Sequence, residues 1–446
     1  MKKKLYIILP IVFSIIIFAY LSINNICGKD NFRCFKSSFS SDQIHFIKKY
    51  FFPYKLISQL ENQIYDLHPL YQEINFKNQN NDIRILNDIE LSNGKILKFH
   101  KLSNGFYYGI NNLTPGSGYI DFHNENIIIL SSHGVLAYTN NIEKNFSLKQ
   151  IKNNIQEFIS KDNFIKDQWF SLKDIHVYND VVFISYTEEV ESDCWNTSII
   201  SAKINYEAMS FKKIFSPSEC IHIRKNIDKE FNAHQSGGRI INFMNNQILL
   251  SIGDYRSRYL AQDKNSINGK IIKIDLDTYD YEIISMGHRN PQGLLYDMEN
   301  NFILETEHGP KGGDEINIIE VEEINSKNIL NYGWAISSAG EHYRSNNEKL
   351  EKYPLHNSHK EFGFVEPLKS FVPSIGISEI AKIKKDSYVV SSMKDKSLYF
   401  FELDNNKNLI NLERVEVHER IRDLKINNGK IYLFLEDSAS IGVVSL

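Results

Sequence analysis

Leu294-Leu-Tyr-Asp-Met-Glu-Asn-Asn-Phe-Ile-Leu-Glu305 reads as a strand, a polar turn at Glu299-Asn-Asn301 and a second strand, the pattern of a β-hairpin. Two blocks dense in glycine, proline and charge flank it. Gly287-His-Arg-Asn-Pro-Gln-Gly293 comes before, Thr306-Glu-His-Gly-Pro-Lys-Gly-Gly-Asp-Glu-Ile-Asn317 after, and Asn331-Tyr-Gly-Trp334 follows. The blocks therefore sit at strand ends, where loops held by a rigid sheet tend to carry function. Glycine beside charged residues lets backbone approach a ligand closely. One such block would be an ordinary turn; two bracketing a single hairpin point to a site.

Outward from this hairpin the same texture recurs. Gly118–Phe122 and Ile127–Leu130, Arg239–Phe243 and Gln247–Ile252, then Ser397–Glu402 and Lys430–Leu435 are short β-rich runs separated by polar turns. Beyond about Gly94, helical spacing over a long interval occurs only from Phe146 to Phe164, so parallel βαβ units are absent. Many antiparallel strands in groups of roughly forty residues argue for an all-β fold, a β-propeller. The groups from residue 94 to 446 give six blades, with seven the alternative count.

The net charge of −4 and the lack of a sustained basic stripe exclude nucleic acid as a partner. Aromatic content of 12%, with 28 Phe and 24 Tyr, suits strands better than a helical bundle. Abundant Lys, Asn and Ile read as genomic bias. Met1-Lys-Lys-Lys4 precedes an uncharged run from Leu5 to Ile23, about the length of a membrane-crossing helix. Residues 1–23 are read as an uncleaved signal anchor, with a cleaved signal peptide as the alternative. Either exports the bulk of the chain to a periplasmic or extracellular face, the anchor tethering it to the membrane. Residues 24–93 read as a broken helical spacer interrupted at Pro53. Four cysteines fit an oxidising compartment; Cys194 and Cys220 can clamp the ends of one hairpin, and Cys27 and Cys34 either pair or stay free.

His234 and Asp254 stand at the start and end of one hairpin, so both can reach the same face. A carboxylate beside an imidazole fixes its tautomer and supports a general base. Arg289 and Asn290 supply fixed donors for an anion, unless Arg289 pairs with Asp314 or Glu315. Glu307, His308, Asp314 and Glu315 match no zinc spacing, whereas the carbonyls of Gly309 and Pro310 suit calcium.

These blocks resemble those of the glucose/sorbosone dehydrogenase family, soluble sugar dehydrogenases that use pyrroloquinoline quinone (PQQ). The shared features are His234-Gln-Ser-Gly-Gly-Arg239, Gly253-Asp254, Gly287–Gly293, Glu307–Pro310, Gly313–Asn317, Asn331–Trp334, Pro373-Ser-Ile375, Ser392-Met-Lys394 and Arg420-Ile-Arg-Asp423. They run from about Phe170 to the C-terminus and imply a six-bladed propeller. The resemblance implies that His234 is the base for the anomeric hydroxyl of an aldose, that Asp254 orients it, and that Arg289 stabilises charge on the quinone. It places PQQ on Asn290, Gln292, Lys394, Arg420 and Arg422 besides Arg289, and Ca2+ on Gly309 and Pro310, with His308 and Asp314 around them. Electrons would pass to an acceptor that the sequence does not name.

His308 stands where glucose-specific members carry Gln, which widens the expected sugar range. Ala335 replaces a usual proline, Ser337 to Glu366 matches no family motif, and a further structural calcium site of the family has no clear ligands. Two other readings compete. A Ca2+-dependent propeller lactonase would need carboxylates around a central metal; a non-catalytic extracellular binding propeller would lack the base and the cationic set.

Overall fold

The computed structural model describes residues 84–446 apart from 86–87, 103–116, 133, 141, 143–147, 160–171, 325–328 and 344–346. The expected signal anchor at 1–23, most of the expected spacer at 24–93, and Cys27 and Cys34 lie outside the described residues. Within the described residues no helix is long and apolar enough to cross a membrane.

Six antiparallel sheets follow one another as blades. Their first, innermost strands are Gly118–His123, Leu172–Tyr178, Gly237–Phe243, Pro291–Asp297, Ile377–Lys384 and Ile421–Asn427. Each of these touches the next around the ring, and the last returns to the first. The final blade closes the circle with both ends of the described chain: Ile96–Lys101 pairs with Ser440–Ser445. Arg84–Ile85 and Ile89–Glu90 join the same sheet, so the propeller begins ahead of the boundary expected at residue 94. Lys149–Gln150 is the outer strand of the first blade, so part of the interval with helical spacing is sheet edge instead.

Blade stacking explains the uninterrupted apolar runs. Ile127, Ile128, Ile129 and Leu130 are all buried, because a blade is covered on both faces. The apolar clusters lie between blades: Ile129 packs with Ile441 across the first and last, Leu304 with Val390 across the fourth and fifth. The turn between first and second strands takes a left-handed residue in every blade, namely Asn124, Asn179, Asn246, Asn301, Asp386 and Asn428. Asn and Asp tolerate that conformation because their short side chains bond locally. Part of the asparagine content is therefore structural. Cys194 and Cys220 are disulfide-bonded, fastening the strand Cys194–Lys203 to the segment after Lys212–Phe215.

At the centre, the third residues of four innermost strands, Asp174, Arg239, Glu379 and Asp423, form a layer around the Arg239 guanidinium, joined by the second residues Tyr119 and Gln292 of the other two. Arg239 Nη1 lies 2.6 Å from Asp174, 2.7 Å from Glu379 and 3.0 Å from Asp423. Its Nε donates to the Gln292 carbonyl at 2.9 Å, and the guanidinium lies 5.7 Å from the centre of the Tyr119 ring. The free oxygens of Asp174 and Asp423 accept the Ile240 and Ile120 amides of the following blades. All three carboxylates and the arginine are buried. Removing one partner from such a group leaves charge without compensation, whereas an exposed pair such as Arg414–Asp395 contributes little. Arg239→Met should lower stability by roughly 3–5 kcal/mol, and Arg414→Met by under about 1 kcal/mol, read from urea unfolding midpoints. Similar small losses for both would contradict this role.

Candidate active site

A cavity of about 950 Å3 opens at one end of the central channel. Tyr119, Lys173, His234, Gln292, Gly376 and Arg422 line it, one from the start of each innermost strand or the residues just before it. Loops leaving second strands add Arg256, Gly309 and Lys394. Asp174 and Asp423 directly follow Lys173 and Arg422, so the buried ion layer fixes the wall.

His234 lies in a short 3-10 turn, Ala233–Gln235. Asn232 Oδ1 caps the turn by accepting the His234 amide at 2.9 Å. The Tyr255 amide donates to the Gln235 carbonyl at 2.9 Å, and Gly253 has to be glycine, since a Cβ there would come within 2.1 Å of that carbonyl oxygen. Lys173 Nζ donates to the Ala233 carbonyl at 3.1 Å. Burial, with the charges of Lys173, Arg422 and Arg256, pushes the His234 imidazole down to about 3. Burial, with the charge of Arg422 nearby, brings the Lys173 ammonium down to about 7.

Asp254 is fully buried beside this turn rather than in the cavity wall. Its Oδ1 accepts the Arg256 amide at 2.8 Å and its Oδ2 accepts Trp334 Nε1 at 2.7 Å. It reaches the His234 turn through Gln235, whose Nε2 donates to Oδ1 at 3.2 Å in the amide orientation its surroundings favour. In the same orientation Gln235 Oε1 accepts Arg289 Nη2 and Arg256 Nε, each at 3.1 Å. The Arg289 guanidinium also donates to the His308 carbonyl at 2.8 Å and lies over the Trp334 ring at 5.4 Å. Neither Asp314 nor Glu315 pairs with it. Asp314 is occupied by the amides of Gly309 at 3.1 Å and Gly376 at 2.7 Å, which fasten the Gly309–Pro310 turn to the fifth blade. Asn290 Oδ1 accepts the Gly237 amide at 3.1 Å and Gln292 Nε2 at 3.0 Å, so these two expected cofactor residues hold each other.

Lys394, Arg420 and Arg422 all reach the cavity wall. Glu436 receives Arg420 Nε at 3.1 Å and Arg422 Nε at 2.7 Å, orienting both forks with one carboxylate. His308 Nε2 is buried without a hydrogen-bond partner among the described residues, and burial lowers its pKa.

Residues 170–443 match the glucose/sorbosone dehydrogenase family. The chain belongs to that family. It is 27% identical over 233 residues to an uncharacterised protein of Synechocystis, covering 45% of this chain and 53% of that one. The match therefore spans about half of that relative. It is 23% identical over 284 residues to the aldose sugar dehydrogenase YliI of Escherichia coli, covering 58% of this chain and 71% of the other. The fold is similar to the PQQ-bound form of an aldose sugar dehydrogenase from Streptomyces coelicolor, with a TM-score of 0.54 and 15% identity over 78% of this chain and 98% of that one.

Within this family member, Gly309 lines the cavity and Pro310 a smaller adjoining one. The Pro310 carbonyl accepts Ser374 Oγ at 3.3 Å and Tyr343 Oη at 3.4 Å. Two carbonyls are hard oxygen donors suited to calcium, but too few to fill its shell without oxygens from cofactor or water. A second group was not read from the sequence: His288, Glu305 and Glu307, all buried, bring ligand atoms within 4.8 Å of one another. Their signal was legible as alternation, since Glu305 and Glu307 share one face of a strand. Lys173 and Arg256 were missed because isolated cations on a strand and in a loop read as solvent-facing. Trp334 was seen as a motif without its task of bridging Asp254 and Arg289.

The His234 shift has a direct consequence. In cofactor-free protein the imidazole should stay neutral from pH 8 down to about pH 5, as read by nitrogen chemical shifts of labelled histidine. A midpoint near the ordinary value of about 6.5 would contradict the buried, cation-flanked setting.

Proposed function

We propose that this protein is a PQQ-dependent dehydrogenase that oxidises an aldose at its anomeric carbon to the lactone. One observation carries the reading: His234, Arg289 and the cationic trio Lys394, Arg420 and Arg422 line a single cavity of about 950 Å3, large enough for a tricyclic cofactor and a sugar. The residues fit PQQ. Its carboxylates match three cations, of which Glu436 already orients the Arg420 and Arg422 forks, and the buried His308 Nε2 offers a partner atom to a bound molecule.

When bound, PQQ supplies a two-electron acceptor, and calcium on the Gly309 and Pro310 carbonyls would add a positive charge beside it. His234 Nε2 takes the proton of the anomeric hydroxyl. The C1–H bond breaks as its electron pair leaves with the hydride, and the C1–O bond becomes the lactone carbonyl. Arg289, held by Gln235, the His308 carbonyl and the Trp334 face, stabilises negative charge developing opposite the sugar. Its burial strengthens that effect and costs no reorganisation during the step. Asp254 keeps Arg289 and the His234 turn in register through Gln235 and Trp334. Anionic carboxylates on the Arg422 side would offset a charge that holds His234 down, moving the base toward a working pKa.

The lactonase reading lacks support, because the central carboxylates Asp174, Glu379 and Asp423 surround a guanidinium rather than a metal seat. The N-terminal pattern supports export with a membrane tether, and finding the protein only as a shortened soluble form would overturn the tether. For the reaction, purified protein given PQQ and Ca2+ should reduce an electron-accepting dye with some members of an aldose panel. His234→Ala should lose at least roughly a hundredfold in turnover while keeping PQQ bound. A panel with no response and no bound PQQ would refute the proposal, and a near-normal rate in the variant would refute the base.

A further inference from the structure

The cofactor wall does not account for all the positive charge around the cavity. A side chamber of about 320 Å3 adjoins it, and Arg256, Arg289 and Tyr343 line both spaces. Arg258, Lys349 and Glu230 are the other charged groups of its lining among the described residues. Arg258 and Lys349 both pair with the one carboxylate of Glu230, at 2.8 and 2.5 Å. Arg256 makes no ion pair among the described residues; Gln235 holds its Nε. Asp254 acts on Arg289 from behind the Trp334 indole, and Asp228 is engaged by Lys352, Tyr353 and the Arg258 amide. Among the described residues, four cations thus meet one carboxylate in the chamber, two if Asp254 is counted. Lys394, Arg420 and Arg422 do not line it.

A neutral sugar leaves the Arg256 charge without a counter-ion, and desolvating such a cation against hydroxyl groups is unfavourable. We propose that the substrate is an anionic sugar, carrying a carboxylate or phosphate remote from its anomeric carbon, with that anion seated in the side chamber against Arg256. The shared lining lets one ligand place its anion there and its anomeric carbon in the main cavity. Arg256 supplies a planar donor fork suited to either anion. Arg258 and Lys349, both held by Glu230, add field without needing to move. This inference rests on the dehydrogenase reading for the rest of the sugar.

The test uses protein loaded with PQQ and Ca2+, so that the cofactor wall is filled. Calorimetry compares methyl glucuronide, methyl glucoside and the 6-phosphate of methyl glucoside; none has a free anomeric hydroxyl, so binding is read apart from turnover. At least one charged ligand should bind roughly tenfold or more tightly than the neutral one, and the tighter of the two names the anion. Arg256→Gln should remove that preference. Equal binding of all three ligands, or a preference kept in Arg256→Gln, would overturn the proposal. Kinetics with glucuronate, glucose and glucose 6-phosphate separate the two readings: oxidation of glucose with no advantage for either anion defeats this inference alone. Arg256-dependent binding of a charged glycoside without oxidation of any aldose supports the chamber and defeats the dehydrogenase reading.

Discussion

Arg239 stands where all six innermost strands converge, and its guanidinium meets carboxylates from the second, fifth and sixth blades, a carbonyl from the fourth and an aromatic ring from the first. Apolar packing between blades is non-directional and would tolerate small rotations of one sheet against the next. A buried arginine with a fixed fork does not, because a carboxylate that drifts out of reach is left desolvated. The ring is thereby set in register at the depth where the cavity begins. Lys173 and Arg422 are placed by the neighbours that Arg239 holds, and Gln292 by its own carbonyl.

The cavity built on this layer has a definite electrostatic design. Cations reach it from the second, third, fourth, fifth and sixth blades, while the carboxylates near it are occupied: Glu436 by two arginines, Asp314 by backbone amides, Asp254 by Trp334 and the Arg256 amide. Such a space favours anionic ligands and keeps an imidazole neutral. Both properties suit the proposed reaction, in which a base must be free to accept a proton and a polyanionic cofactor must be gripped. The bonding around Gln235 links the two tasks, joining the His234 turn, Asp254, Arg256 and Arg289 through one side-chain amide.

Much of this was legible in the sequence. Strand rhythm and the Glu299–Asn301 turn are local signals, and they gave the propeller and the hairpin between the motif blocks. The expected site residues His234, Arg289, Asn290, Gln292, Gly309, Lys394, Arg420 and Arg422 do meet in one cavity, because their motifs sit at the starts of inner strands or the ends of second strands, which open on the same face. What could not be read depends on distance through space. The ring around Arg239 joins residues 174, 379 and 423, which no local pattern relates. Helical spacing hides the short edge strand Lys149–Gln150, and Asp254 shares a hairpin with His234 in sequence, whereas its carboxylate is held by Trp334, far along the chain. The side chamber was invisible for the same reason, since Lys349 comes from the stretch without family motifs.

In the proposed reaction one cavity would bring a sugar C1–H bond to a bound quinone while His234 takes the proton. Anaerobic stopped-flow absorbance of PQQ-loaded protein, mixed in a single turnover with an oxidisable aldose and with the same sugar deuterated at C1, tests it most directly. The account predicts sugar-dependent loss of the quinone absorbance, slowed severalfold by deuterium and lost in the His234→Ala variant. Loss of absorbance at the same rate for both isotopes, or undiminished in the variant, would contradict it.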